Sequence, residues 1–222
     1  NIWGADHHGH VARLQAALGG LGLGGSHRLV VVLMQLVNLL QDGKPVRMSK
    51  RSGKAIALHD LLDEISVDAA RYFFNARTST SPLDFDLDLA VREDADNPVY
   101  YVQYAHARIC SMVRKMAEEG VAVPAAGAVG ASLLVEPEEK ALLKALSELP
   151  EEIRLAARDY DPSRINRYLV DLAGSFHRFY NTCRCMVEDT ALRDARLKLA
   201  DTTRAVIAQG LDLLGVTAPE KM

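Results

Sequence analysis

From Asn97-Pro98 to the last residue, apolar side chains recur at helical spacing and never alternate as they do in a strand. No other feature limits the fold as much. Val102, Ala105, Ile109, Met112, Val113 and Met116 form one stripe. Ile165, Tyr168, Leu169, Leu172, Phe176, Phe179, Tyr180 and Cys183 form a second, and Leu192, Ala195, Leu199, Val206, Leu211 and Leu214 a third. Each stripe needs a partner to bury against, so residues 97–222 are expected to form an antiparallel bundle of about five helices. "GVAVPAAGAVGAS" (120–132), rich in Gly, Ala and Pro without period, is its one long loop.

The front of the chain has a different texture. "NIWGAD" is strand-like, "HVARLQAALGGLG" is a helix closed by glycines, and "HRLVVVLMQLV" is a β-branched run suited to a buried strand, expected over residues 29–37. Asp42-Gly43 supplies hairpin turn chemistry before "KPVRMS". Leu58, Leu61, Leu62 and Ile65 space as one helical face, and Ser66 can cap "VDAARYFFNAR". "STSPLDFDLDLAVREDADNP" reads as an irregular acidic connection with an amphipathic turn or two. The expected division is an α/β part at 1–75, a connector at 76–96 and an all-α part at 97–222, mainly α overall. No internal repeat is evident.

Composition narrows the function classes. The 222 residues are 49% hydrophobic and 25% charged, with a net charge of -3, as in an ordinary globular protein rather than one coated in nucleic acid. No apolar run approaches the roughly 20 residues that span a bilayer, and no signal pattern precedes the first strand, so the expected location is the cytoplasm. The three cysteines fit neither a disulfide framework nor the C-x-x-C spacing of a zinc site, and read as reduced thiols of packed helices. Asn1-Ile-Trp-Gly has mid-strand character and no initiator Met, so the chain is expected to be a piece of something longer.

One segment carries a strong chemical signal. "KPVRMSKRSGK" (44–54) holds Lys44, Arg47, Lys50, Arg51 and Lys54 with no acid among them. A stretch like this is most often a solvated surface loop. Cations on a Gly/Ser-flexible loop after a hairpin can also close over a polyanion and follow phosphate charge as it develops.

"MSKRSGK" resembles the Lys-Met-Ser-Lys-Ser loop of class I aminoacyl-tRNA synthetases, with Arg47 in place of the first lysine and Arg51 in place of the last serine. That form is similar to the arginyl-tRNA synthetases. "GADHHGH" (4–10), "NLLQDGKPVRMSKRSGKAIALHDLLDE" (38–64), "DAARYFF" (68–74), "DFDLDLA" (84–90), "NPVYYVQYAHARI" (97–109), "FHRFYNTCRC" (176–185) and "GLDLLGVTAPEKM" (210–222) resemble the bacterial members in the same order and spacing. The resemblance covers essentially the whole chain. It implies that residues 1–75 are the back part of a Rossmann-type catalytic domain and that 97–222 is an α-helical, DALR-type anticodon-binding domain. It further implies ATP, accompanied by Mg2+, and arginine as substrates, and the arginine tRNA, tRNA(Arg), as partner. Lys50 is the implied catalytic residue. Gly4, Asp6, His7, Met48, Ser49 and Arg51 join it as ATP-binding candidates.

His7-His8-Gly9-His10 satisfies the pattern His-x-Gly-His, the other class I signature. It stands only about forty residues before "MSK", whereas the two signatures should flank both halves of a nucleotide-binding sheet, and one βαβ unit alone needs 30 or more residues. The segment therefore resembles the family's later strand-end region near adenosine ribose. A metal site built from His7, His8 and His10 lacks a second ligand cluster and is set aside. With the true His-x-Gly-His segment outside this sequence, the chain alone is not expected to catalyse.

In the helical part, Tyr101, Tyr104, His106 and Arg108 fall on two faces of one helix, so some point away from the core stripe. Each of the tyrosines could equally be a core-edge residue. Aromatics that stack on unpaired bases, with Arg or Lys on phosphates, hold single-stranded RNA. The resemblance favours Tyr101, Tyr104 and Tyr180 for stacking and Met222 for an apolar base contact, with His106, Arg108, His177, Asn181 and Arg184 as companions. The alternative is a stand-alone helical RNA-binding or interaction protein, which would have no need of Met48-Ser49-Lys50. Two structural expectations follow: a mobile loop at 47–54, and apolar sheet faces open to solvent at the front.

Overall fold

The computed structural model describes residues 1–46 and 57–222. The expectation for the 47–54 loop, and the candidates Met48, Ser49, Lys50 and Arg51, lie outside the described residues.

At the front, β1 (Ile2–Gly4) pairs in parallel with β2 (Val32–Met34), with Ile2 opposite Val32 and Trp3 opposite Leu33. The crossover between them carries α1 (His8–Gly20) and the short α2 (Gly25–Arg28). The single buried strand expected over 29–37 is in fact two. After β2 the chain leaves the first sheet, with the Gln35 amide donating to Ser79 O at 2.9 Å, and resumes as β3 (Val37–Gln41) in a second one. The run is open to solvent, as expected of the apolar faces at the front and unlike a buried strand: Met34 and Val37 are exposed, and Leu36, at the switch between sheets, is 82% exposed.

The predicted hairpin is present. β4 (Lys44–Pro45) returns antiparallel to β3, and both Asp42 (φ 51°) and Gly43 (φ 68°) take the left-handed conformation of a two-residue primed turn. The acidic connection is more regular than expected. Leu83–Asp86 forms β5, parallel to β3 with Leu39 opposite Phe85, and Asp86 then caps the one-turn helix α5 (Leu87–Ala90) through the Leu89 amide at 3.0 Å. Alternation explains the strand: Leu83 and Phe85 point into the core while Asp84 faces out to Asn38, whose Nδ2 it accepts at 2.8 Å.

Between the sheets and the bundle stand α3 (Leu58–Glu64) and α4 (Val67–Asn75). Leu61 and Ile65 are buried as anticipated, but Leu58, at the first position of α3, is 63% exposed and lines an open groove with Val37, Pro45 and Phe74. Ser66 caps α4 by accepting the Ala69 amide at 3.1 Å.

The bundle has four α-helices among the described residues, not five: α6 (Pro98–Glu118), α7 (Pro137–Asp159), α8 (Ser163–Thr182) and α9 (Thr190–Leu214). α7 runs through Pro150, whose position is exposed, so water can serve the carbonyl that loses its amide partner. Asn97 starts α6 by accepting the Val99 amide at 3.2 Å while its own amide donates to Ala90 O and Arg92 O. Asp189 caps α9 through the amides of Ala191 and Leu192.

One apolar cluster reaches from Leu61 to Val216, with Phe85, Ile109, Phe176, Phe179, Leu197 and Leu211 fully buried. Each such side chain contributes roughly 1.5–3 kcal/mol by leaving water. α4 belongs to this core. Tyr72 donates its hydroxyl to Asn166 O at 3.2 Å, and Asn166 returns its amide to Tyr72 O at 3.0 Å, stitching α4 to α8. Burial pushes the Tyr72 phenol well above its ordinary range, so it stays a neutral donor.

Candidate nucleic-acid interface

Tyr101, Tyr104 and Arg108 stand at i, i+3 and i+7 of α6, one stripe that runs beside His177 and Tyr180 of α8. The imidazole of His177 sits between the two tyrosines, its ring centroid 4.9 Å from that of Tyr101 and 5.9 Å from that of Tyr104. Arg108 reaches across the helix boundary, its guanidinium carbon 4.3 Å from the centre of the Tyr180 ring and 5.6 Å from that of Tyr104. Such cation–π contacts hold the guanidinium over the rings without consuming its N–H donors.

Arg108 also divides two clefts. On one side a cavity of about 450 Å³ is lined by Tyr100, Tyr101, Tyr104, His177 and Asn181. On the other, one of about 670 Å³ has an apolar floor of Met112, Met116, Cys183, Cys185 and Met186, with Lys115 and Arg184 at its edge. The thiols there are packing groups: burial pushes Cys183 up and Cys185 to about 11, so both stay protonated. An aromatic wall, a polarisable floor and three cations suit unpaired bases joined by phosphates.

Tyr104 is exposed, Tyr101 and Tyr180 are half-buried, and Asn181 and Arg184 are exposed. His177 is half-buried with Nε2 enclosed and without a hydrogen-bond partner. Burial, and secondarily the positive Arg108, hold its pKa below the ordinary histidine value. Arg184 follows α8 on a turn whose backbone is fixed from below: Arg196 of α9 donates to Arg184 O at 2.8 Å and to Glu139 Oε1 at 2.6 Å. Glu139 is fully buried and its second oxygen accepts the Glu136 amide at the start of α7.

Two expected members lie elsewhere. His106 is 3% exposed, and its Nδ1 bonds Pro219 O at 2.9 Å, so it anchors the chain end and cannot stack on RNA. At i+2 from Tyr104 the helix turns it onto the opposite side, toward the tail. Met222 is exposed, at the end of a segment that runs along the Gln103, His106 and Arg114 stripe of α6 rather than the Tyr101, Tyr104 and Arg108 stripe. Sequence reasoning passed over Tyr100, which stacks parallel to Tyr104 at 6.3 Å, and Lys115, one further turn pair beyond Arg108. The i, i+4 spacing to Tyr104 was the available signal for the first, and the i+7 spacing to Arg108 for the second.

At the other end of the molecule, Gly4, Asp6 and His7 sit where β1 ends, all exposed, with Asp6 and His7 3.7 Å apart. Ligands of parallel sheets bind outside the carboxyl ends of strands, which is where these three stand. Among the described residues no group of three or more His, Cys, Asp or Glu is arranged to hold a metal ion.

Comparison with known proteins gives this helical face a context. A family model described as the DALR anticodon binding domain matches residues 102–222, which include α6 from Val102 onward, the whole of α8 and the tail, and leave Tyr100 and Tyr101 just outside. The chain belongs to the DALR anticodon-binding domain family. The likeness extends past that domain. The whole chain is 55% identical to an arginine–tRNA ligase of Ruminiclostridium cellulolyticum over 222 residues, and spans 39% of that protein's length. Among solved structures, a Campylobacter jejuni protein described as a candidate arginyl-tRNA synthetase superposes over the full chain with a TM-score of 0.86 at 35% identity, 47% of that chain being covered. Thermus thermophilus arginyl-tRNA synthetase does so with a TM-score of 0.82 at 26% identity and 40% coverage. Within the DALR match, Tyr104, Arg108, His177, Tyr180 and Arg184 therefore sit in a domain whose family description is recognition of an anticodon.

Proposed function

We propose that the chain is part of an arginine–tRNA ligase, in which residues 97–222 read the anticodon loop of tRNA(Arg). Residues 1–75, joined through 76–96, contribute to binding ATP at a Rossmann-type site. Lys50 and Arg51 neutralise triphosphate charge as arginine is activated, with Met48 and Ser49 as further ATP contacts and the Mg2+ arriving with ATP, and Gly4, Asp6 and His7 meet the adenosine end. Such an enzyme works in the cytoplasm, where tRNA is charged. The chain spans about 39% of the length of its curated relative, so this activity belongs to a protein of that full length.

The observation that carries the reading is the Tyr104–Arg108–Tyr180 row: a partly exposed arginine held between two aromatic rings at the junction of two clefts, within the matched domain. A base stacked on Tyr104 places its phosphates next to Arg108, so stacking and charge act on neighbouring nucleotides.

The test is binding of RNA hairpins by the 222-residue chain. A hairpin with an arginine anticodon should bind, and one with the same stem and a scrambled loop should bind at least about tenfold more weakly. Equal affinity for the two would remove anticodon reading from the account.

A further inference from the structure

α4 touches the chain end twice. Arg71 Nε donates to Leu214 O, the last carbonyl of α9, at 3.1 Å. One turn earlier on the same face, Asp68 accepts the Thr217 amide at 3.1 Å through Oδ1, while its Oδ2 accepts the Thr217 hydroxyl and, at 2.8 Å, the Gln103 side-chain amide. Between these anchors Gly215 takes a left-handed conformation, φ 66°, that closes α9 and turns the chain back. Gln103 also donates to Thr217 O at 2.9 Å, so Thr217 is held through its amide, hydroxyl and carbonyl at once. Farther along α6, His106 bonds Pro219 O and Arg114 donates to Glu220 O at 3.3 Å.

These contacts lay residues 215–222 along α6 in the direction of its C-terminal end, leaving Met222 exposed beyond the last anchor. Chain ends without such ties are disordered as a rule. Asp68 is the only carboxylate among these contacts, and it bonds three donors where the tail begins. Hydrogen bonds to an ionised acceptor are the strong ones. Asp68 lines neither cleft beside the aromatic row, yet it governs where the tail goes.

We propose that Asp68 is a positioning residue for RNA binding: by fixing Thr217 it pre-sets the path of the tail, and it acts on RNA only through Met222. The inference rests on the reading of residues 97–222 as an anticodon reader, and adds that the reader's last residue is aimed from α4. A tail ordered before binding spares the complex the entropy of ordering it.

The test uses the 222-residue chain and the arginine-anticodon hairpin, with affinity and melting measured in parallel. Deleting Met222 is expected to weaken binding about fivefold, and Asp68→Ala by up to about the same factor. Deleting Met222 in the Asp68→Ala background should cost nothing more, because the contact is already lost. Thr217→Val, which removes the hydroxyl without disturbing α4, should reproduce part of the Asp68→Ala loss, and Thr217→Ser should restore parent affinity. Hydrogen exchange should speed up at the amides of 217–222 in Asp68→Ala and not in α8. If deleting Met222 weakens binding while Asp68→Ala and Thr217→Val bind like the parent, Asp68 has no positioning role. Losses that add in the double variant also overturn the inference, since Asp68 would then act by another route. If the Met222 deletion and Asp68→Ala both bind like the parent while Tyr104→Ala does not, the anticodon reading stands and the aimed tail falls. If no hairpin binds at all, it is the anticodon reading that fails, and the inference with it.

Discussion

Arg108 of α6 lies over the ring of Tyr180 of α8, guanidinium carbon to ring centre 4.3 Å, and Arg108 lines the clefts on both sides. Its consequence is a separation of roles. The ring offers a stacking face and the guanidinium a charge, so removing each should damage RNA binding differently. Arg108→Ala should lower the slope of log affinity against log salt by about one unit. Tyr180→Phe should bind like the parent, and Tyr180→Ala should lose about 1–3 kcal/mol with the slope nearly unchanged. A salt slope unaltered in Arg108→Ala would show that its guanidinium faces no phosphate.

The buried Glu139–Arg196 pair should govern stability rather than binding chemistry. Breaking it by Glu139→Ala leaves a buried guanidinium uncompensated, at a cost of about 3–5 kcal/mol in urea unfolding. Exchanging both residues for Met and Leu of similar volume should cost far less. Because Arg196 also holds Arg184 O, Arg196→Leu should in addition speed hydrogen exchange in residues 183–188. Equal stability of Glu139→Ala and the parent would refute this assignment.

His177 gives the molecule a pH dependence of definite sign. Its folded pKa lies below the ordinary value of about 6.5 because burial, and then Arg108, disfavour the charged ring. Unfolding then takes up a proton in the window between the two values. The His177 contribution is complete above about pH 6.5, declines as pH falls below it, and is lost once the folded pKa is passed. The NMR titration midpoint of the His177 ring should lie below that of an unstructured histidine. It should rise in Arg108→Ala while remaining depressed by burial. A midpoint above 6.5 would contradict the burial argument.

α4 shares the bundle's core, so the helical part should depend on it. A chain of residues 57–222 should melt cooperatively, close to the parent. A chain of residues 97–222 loses Tyr72, Phe73 and the paired bonds to Asn166, and should melt well below it. Coincident melting of the two would place the whole core after residue 97.

The helical period made the bundle legible, because a face repeating every three or four residues has one physical use. Ser66, Asn97 and the Asp42-Gly43 turn were legible for the same reason: each rests on contacts within a few residues. β5 was not, since its pairing with β3 spans more than forty residues and Leu83 and Phe85 alternate too briefly to stand out among acids. Tyr104, Arg108 and Tyr180 could be proposed from type and spacing. That Arg108 would lie on Tyr180 could not, because the contact depends on how α6 crosses α8. His106 misled because polarity suggested a surface role, whereas its partner is a backbone carbonyl 113 residues away. The Glu139–Arg196 pair was hidden in the same way, each residue looking like an ordinary charge on a solvated helix face.

The most direct measurement is a map of where the loop bases touch. A hairpin with an arginine anticodon, carrying 4-thiouridine at one loop position at a time, would be photo-crosslinked to the 222-residue chain and the adducts located by mass spectrometry. The account predicts crosslinks in the peptides holding Tyr104 and Arg108 on α6 and Tyr180 and Arg184 at the end of α8, and their loss when excess unlabelled hairpin competes. Crosslinks confined to the outer face of α7 or to residues 120–132, with none at Tyr104 or Tyr180, would contradict it.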